Sequence, residues 1–278
     1  MRPTTQNTSV RAAAVAGLFY PADAGELRDM VAKYLDGASV FGGLEPKALI
    51  APHAGYVYSG AMAARAYATL VHRSATIRRV VLIGPSHRVY FHGVAAPSAA
   101  AFATPLGAVP VDTALRDMLV DRRLAMVADA PHALEHCLEV QLPFLQTALR
   151  DFTIVPLVGG EASAAEVAAV LEAIWDDPHT LVVASSDLSH YHSYAETERR
   201  DRLTCEQILA YATSLSGEQA CGAVALNGLA HAARHHALQI VPLGRCNSGD
   251  TAGDRERVVG YAACALHEGD RRAESPGT

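Results

Sequence analysis

The chain has 278 residues, with 23 Lys and Arg against 29 Asp and Glu, so its formal net charge is −6. Half of the residues are hydrophobic and 19% are charged, and 21 Gly and 14 Pro follow no fixed period, which excludes disordered, collagen-like and low-complexity chains. The mildly acidic balance also argues against nucleic acid as a partner, because sequence-independent binding needs clustered cations.

Short apolar runs alternate with helical patterns along the chain. A first apolar segment is interpreted as a buried strand, and further runs bounded by Gly, Pro or Ser predict six more; together they lie at 12–20, 48–51, 80–83, 152–158, 181–184, 238–243 and 258–263. Amphipathic helices are predicted at 27–35, at 135–149 with a kink or late start at Pro143, and from the capping box of Ser163 and Glu166 to about Trp175. This alternation predicts an α/β fold, a three-layer α/β/α sandwich with a mostly parallel or mixed central sheet.

No linker or repeat interrupts the chain, so one domain is expected over 11–267, between loose ends at 1–10 and 268–278. No apolar run reaches the roughly 18 residues of a membrane-spanning helix, so no membrane partner is expected. Five widely spaced cysteines without a CxxC pair favour a reducing compartment, the cytoplasm. Four of them follow helical or strand patterns and are interpreted as small core residues: Cys137, Cys205, Cys221 and Cys264.

The most informative pattern is the content of the turns that follow four predicted strands. Each turn carries His, Asp or Cys. These residues are His53 after the strand at 48–51, His87 after 80–83, Asp187 and His190 after 181–184, and Cys246 and Asp250 after 238–243. In an open α/β sheet, ligands bind outside the carboxyl ends of the strands, so parallel neighbours would bring these side chains to one pocket.

The residue types in these turns indicate a metal site. Two neutral imidazoles and a carboxylate form the ligand face typical of non-haem Fe(II). His53 and His87 are the two expected histidine ligands, and Asp250 is the expected third ligand. Cys246 is the alternative third ligand, and its thiolate would favour zinc or copper.

Three further residues are candidates for acid–base catalysis or for orienting a ligand: His136, His190 and Asp187. Asp187 could set the tautomer of His190 three residues later, and Glu139 follows His136 on the same predicted helix face. Two structural alternatives stay open. Asp187 could cap the next helix, and the turn 247–250 could be only a tight turn.

Six ordered motifs resemble the Memo family, in particular its bacterial branch, known as AmmeMemoRadiSam system protein B. They lie at 15–21, at 51–56 (Ala-Pro-His-Ala-Gly-Tyr), at 84–87, at 135–143, at 185–190 (Ser-Ser-Asp-Leu-Ser-His), and at 247–250 with 258–261. The resemblance runs from about Arg11 to Leu266 and implies a domain similar to the LigB-type class III extradiol dioxygenases, which use non-haem Fe(II).

The resemblance also implies roles for individual residues. His53 and His87 match the two histidine ligands, and His136 and His190 match positions proposed for acid–base histidines. In animal members a cysteine completes the site, and at that point this sequence has Asp250 or Thr251, with Cys246 a few residues earlier.

The resulting functional hypothesis is an Fe(II)-dependent, dioxygenase-like oxidoreductase acting on a small molecule or peptide. The name of the bacterial branch implies a radical SAM enzyme and an AMMECR-type protein as partners. Two alternatives stay open: a non-catalytic metal-carrying or peptide-binding partner of the radical SAM protein, and a zinc hydrolase that uses Cys246. Fe(II) is the expected cofactor, with copper or zinc as the other candidates.

Overall fold

The computed structural model describes residues 9–38, 43 and 45–269. The strands are β1 Val10–Arg11, β2 Ala48–Ala51, β3 Arg79–Pro85, β4 Val94–Ala96, β5 Ala101–Thr104, β6 Gly107–Pro110, β7 Met126–Val127, β8 Thr153–Gly159, β9 Thr180–Ser185, β10 His190–His192, β11 Leu238–Asn247 and β12 Val258–Glu268. The helices are α1 Ala24–Asp36, α2 Tyr56–Ala68, α3 Thr113–Asp121, α4 Ala130–Ala133, α5 Leu142–Ala148, α6 Ala164–Glu172, α7 Tyr194–Leu209 and α8 Ala223–His235. Short 3-10 turns cover Thr69–His72, Glu139–Gln141 and Ser248–Asp250.

The central sheet is mixed, with a parallel middle. Its strand order is β10-β12-β2-β9-β3-β8-β4-β7, and β11 pairs with β12. The four strands β2, β9, β3 and β8 are parallel neighbours, whereas β12 is antiparallel to both β2 and β11. A separate small sheet of β1, β5 and β6, which the sequence does not predict, lies beside it.

Both faces of the central sheet are covered, because successive side chains of its strands point to opposite sides. In β2, Leu49 joins the hydrophobic core that contains residues of α1, α2 and α5, while Ile50 joins the core that contains residues of α6 and α8. The parallel strands in the middle of the sheet are therefore buried on both faces, as expected for an α/β protein. The α/β sandwich predicted from the sequence is confirmed.

Two local predictions are wrong, and a third is confirmed at one point. The segment 12–20 forms a turn in which Gly17 has φ +80° and its N–H donates to Tyr20 O at 2.7 Å. The late start predicted for the helix at 135–149 is confirmed: α5 begins at Leu142, because Pro143 occupies its first turn, where the missing N–H costs no hydrogen bond. The helix after Ser163 ends at Glu172, three residues before the expected end.

The ends of the chain differ from expectation at two residues. Val10 belongs to β1 and Glu268 to β12, although the sequence places both in loose ends. Residues 1–8 and 270–278 of those ends lie outside the described residues. In the described part of the chain, no helix is long and apolar enough to cross a membrane.

Candidate metal centre

Three histidine rings meet where the parallel strands end. His53 follows β2, His87 follows β3, and His136 lies in the turn before α5. The ring centroids of His53 and His87 are 5.2 Å apart, those of His53 and His136 5.4 Å, and those of His87 and His136 4.7 Å. His53 is buried, whereas 28% of the His87 side chain is exposed, so the cluster reaches solvent at His87. The two histidines chosen from the sequence therefore converge.

The tautomer of His53 follows from its hydrogen bonds. Ser185 Oγ donates its one hydrogen to the carbonyl of Cys137 at 2.6 Å, so it accepts from His53 Nδ1 at 2.9 Å. His53 Nε2 therefore carries a lone pair. Burial lowers the pKa of His53 well below its ordinary value, and His87 lowers it further, so the ring is neutral at neutral pH. A neutral imidazole with a free Nε2 is a competent metal ligand.

His87 is oriented by Glu135, a residue that sequence reasoning did not select. Glu135 Oε1 accepts from His87 Nδ1 at 2.9 Å, and Oε2 accepts from the His87 backbone N at 2.8 Å. Burial acts to raise the pKa of Glu135, but the hydrogen bonds and charge of His87 lower it to about 2, so this residue is a carboxylate. Nδ1 of His87 is therefore the donor, and Nε2 is free for a metal. The signal in the sequence was its position directly before His136.

Cys221, directly before the N-cap residue of α8, supplies a third donor beside the two histidines. Its Sγ lies 3.1 Å from His53 Nε2 and accepts from the backbone N–H of Asp187 at 3.3 Å. One ligand atom each from His53, His87 and Cys221 lies within 4.8 Å of the others. Burial raises the pKa of the Cys221 thiol, so an ion would have to displace its proton. The interpretation of Cys221 as a small core residue is therefore wrong.

Asp250 and Cys246 lie elsewhere. Asp250 is exposed; its Oδ1 accepts from Tyr194 Oη at 2.6 Å, and its Oδ2 accepts from Asn247 N at 3.0 Å, closing a capping box. Cys246 is paired with Tyr261 within the β11–β12 ladder. Both Asp250 oxygens are thus engaged by protein donors, and among the described residues neither Asp250 nor Cys246 belongs to a group of converging metal-ligating side chains. The tight-turn alternative for 247–250 is what the structure contains.

Asp187 and His190 lie beside the centre but do not pair as expected. Asp187 Oδ1 accepts from the backbone N–H of His53 at 2.7 Å, and burial raises the pKa of this carboxyl. His190 Nδ1 donates to Leu188 O at 2.8 Å, so a backbone carbonyl sets its tautomer and leaves Nε2 free. Asp187 thus positions the backbone that carries His53, and the prediction that it orients His190 is wrong.

The environment of His136 is built by the N-terminal turn. The ring of Phe19 packs on it at 4.7 Å, and burial, followed by the charge of His53, lowers the pKa of His136 to about 4. Glu139 does not face His136 as predicted. Its buried carboxylate accepts from Arg11 at 2.6 Å and from Tyr20 Oη at 2.6 Å, and so anchors the N-terminal segment.

A cavity of about 500 Å³ opens beside two of the donors, His87 and Cys221. Tyr90, Phe91 and Val224 contribute further lining. A concave space of this size with convergent polar groups at one side has room for a small molecule or for one side chain of a peptide.

Comparisons with known proteins identify a family and several relatives that are similar to this chain over most of its length. The family described as Memo-like protein matches residues 11–265. A MEMO1 family protein of Aquifex aeolicus is 36% identical, covering 91% of this chain and 97% of the relative. One of Methanopyrus kandleri is 35% identical over 93% of this chain and 99% of the relative, and one of Thermotoga maritima is 33% identical over 92% and 99%.

Proposed function

This chain belongs to the Memo-like protein family, and we propose that it is a metal-dependent oxidoreductase that binds one Fe(II) ion at His53, His87 and Cys221. The observation that carries the proposal is that one ligand atom each of His53, His87 and Cys221 lies within 4.8 Å of the others, while Nδ1 of both histidines is held by a protein acceptor.

The donor set fits a transition metal. Imidazole suits iron, copper and zinc, and three protein donors leave coordination positions open. When bound, the ion would supply electron transfer and a Lewis-acid position for substrate. His53 and Cys221 would hold it from the buried side, and the half-open His87 would hold it at the cavity. Binding would displace the Cys221 proton, so affinity should rise with pH.

The remaining residues of the site have separate tasks. His136 is neutral at neutral pH because its pKa is about 4, so it can accept a proton from substrate but cannot deliver one of its own. His190, whose Nδ1 donates to Leu188 O, would offer Nε2 as a second proton acceptor beside the centre. Asp187 and Glu135 hold His53 and His87, respectively, and touch no substrate in this scheme.

A second candidate function is a non-catalytic metal carrier, and the thiol of Cys221 is the observation that favours it. Thiolates favour copper and zinc over Fe(II), and a carrier needs no substrate. In either case a radical SAM enzyme and an AMMECR-type protein are the proposed partners, and the cytoplasm is the proposed location. The zinc-hydrolase alternative would have to use Cys221, because Cys246 lies within β11.

Metal content after anaerobic purification with Fe(II) tests the proposal. The wild-type protein should retain about one iron per chain, and the variants His53→Ala and Cys221→Ser should retain less than about a tenth of that. Cys246→Ser is the matched control and should keep its iron. Equal iron in wild type and His53→Ala would refute the site.

Oxygen uptake by the iron-loaded protein then separates the two functions. Uptake that falls in His136→Ala, with metal content unchanged, supports the oxidoreductase. Bound metal without any uptake, or retention of copper or zinc in preference to iron, supports the carrier.

A further inference from the structure

We propose a second metal site, for Zn²⁺ or a similar divalent cation, at the far end of α8 from the His53 centre. Its donors are Glu172, His235 and His236, whose ligand atoms lie within 4.8 Å of one another. Glu172 Oε2 is 2.7 Å from His236 Nε2, and the rings of His235 and His236 are 4.9 Å apart. Glu172 is the last residue of α6 and His235 the last residue of α8, so the ion would join two helix ends.

One carboxylate oxygen of Glu172 can still accept a hydrogen bond or bind a cation. One oxygen contacts His236, but Oε1 is buried and has no hydrogen-bond partner among the described residues. Buried carboxylate oxygens normally accept a hydrogen bond or bind a cation. An ion held by Glu172 and the histidines would satisfy this oxygen.

One donor ring, that of His236, and the two helices that carry the donors are held in place by packing. The ring of His236 stacks on Trp175 with centroids 4.6 Å apart and planes 13° apart. The helices α6 and α8 approach closely because Gly228 has no side chain; a Cβ there would lie 2.2 Å from Val167 Cγ1. Rigid supporting contacts of this kind reduce the ordering that metal binding requires.

Electrostatics at the two helix ends also favour a cation. The C-terminal end of a helix carries partial negative charge from its unpaired carbonyls, and here two such ends lie together. Two imidazoles, one carboxylate and a water match the four-coordinate preference of Zn²⁺. Binding would replace the Glu172–His236 contact by two bonds to the ion and would require His236 Nε2 to lose its hydrogen.

The site is independent of the His53 centre. Cys221 lies just before α8 and His235 ends it, and at 1.5 Å per residue the 13-residue helix separates them by about 20 Å. One ion cannot serve both positions. The saturated protein should therefore bind two ions per chain, one at each end of α8.

Zinc titration by calorimetry, with zinc content after dialysis, tests the inference. The wild-type protein should bind two ions, while His235→Ala and Glu172→Gln should bind one. His72→Ala removes another exposed histidine and should still bind two. In His53→Ala, the site at the end of α8 should remain, and zinc should still raise Tm.

The two proposals fail separately in this experiment. If His53→Ala binds as much metal as wild type while His235→Ala loses an ion, the His53 centre is refuted and the second site stands. If His235→Ala and Glu172→Gln bind as much zinc as wild type, or zinc raises Tm equally in His53→Ala and in the double variant His53→Ala/His235→Ala, the second site is refuted.

Discussion

Replacing Glu135 with Gln tests whether a single carboxylate fixes His87 in the metal centre. Both Glu135 oxygens accept from N–H groups of His87, at 2.9 Å from Nδ1 and 2.8 Å from the backbone N. A glutamine has one oxygen and one NH₂ group, so in either orientation an N–H would face an N–H of His87. The His87 ring should therefore turn or change tautomer, and its Nε2 lone pair would no longer point into the site.

The magnitude follows from the pKa of Glu135. It is about 2 against an ordinary value of 4.5, and a difference of about 2.5 pH units corresponds to about 3 kcal/mol of folding stability at pH 7. Because the folded-state pKa is lowered, this stabilisation is complete above pH 4.5 and is lost as the pH falls towards 2. Loss of a carboxylate that orients a ligating histidine typically costs about 10- to 100-fold in metal affinity.

Urea unfolding of the metal-free protein measures the first effect, and competition with a chelator measures the second. Glu135→Gln should lose about 3 kcal/mol of folding stability at pH 7 and clearly less at pH 3. Its metal affinity should fall about 10- to 100-fold, because His87 is no longer oriented. The control Glu256→Gln changes an exposed glutamate and should match wild type in both assays. Wild-type stability together with wild-type affinity in Glu135→Gln would refute the reasoning.

Three further predictions concern the scaffold. Burial raises the pKa of Asp201 from 3.8 to about 6, so the wild type should lose about 2 kcal/mol of folding stability as the pH rises from 4 to 8. Asp201→Asn should remove that loss in urea unfolding at pH 4 and 8, and an unchanged pH dependence would contradict this. Arg11→Met removes the guanidinium that lies 2.6 Å from the buried Glu139 carboxylate and should cost about 3–5 kcal/mol of folding stability. The variant should therefore have a lower Tm, and an unchanged Tm would contradict a stabilising ion pair. Gly228→Ala should cost about 1–3 kcal/mol of folding stability in calorimetry, because its Cβ would overlap Val167. The control Gly217→Ala places its Cβ in open space and should leave stability unchanged, and equal effects of the two variants would show that α6 and α8 separate freely.

The strands of the parallel centre were predictable because their residues are buried on both faces. A strand such as β3 must be apolar along its whole length, and its run of Val, Leu and Ile stands out in the sequence. The convergence of His53 and His87 was predictable for the same reason, since each follows a parallel strand and those strands end at one edge. Turn 12–20 was misassigned because apolar content alone does not reveal that the chain reverses at Gly17.

The third donor could not be predicted from local pattern. Cys221 is 168 residues away from His53 in the chain and lies in a loop before α8, with no strand directly before it. Asp250 has the better local pattern, since it does follow a strand, but its carboxylate accepts from Tyr194 and from the backbone of its own turn. Which turns approach one another depends on the packing of the whole fold, and no local spacing reports it.

Periodicity and the residues after each strand were enough to predict the α/β class, the edge of the sheet that carries the candidate site, and two of its histidines, because the strands show in local composition and parallel strands end at a common edge. Only the tertiary structure decided that Cys221, not Asp250, lies with His53 and His87, that Glu135 and Ser185 set the histidine tautomers, and that Glu172 meets His235 and His236. Those pairings join distant segments, and they are determined by the packing of helices and strands that local sequence does not encode.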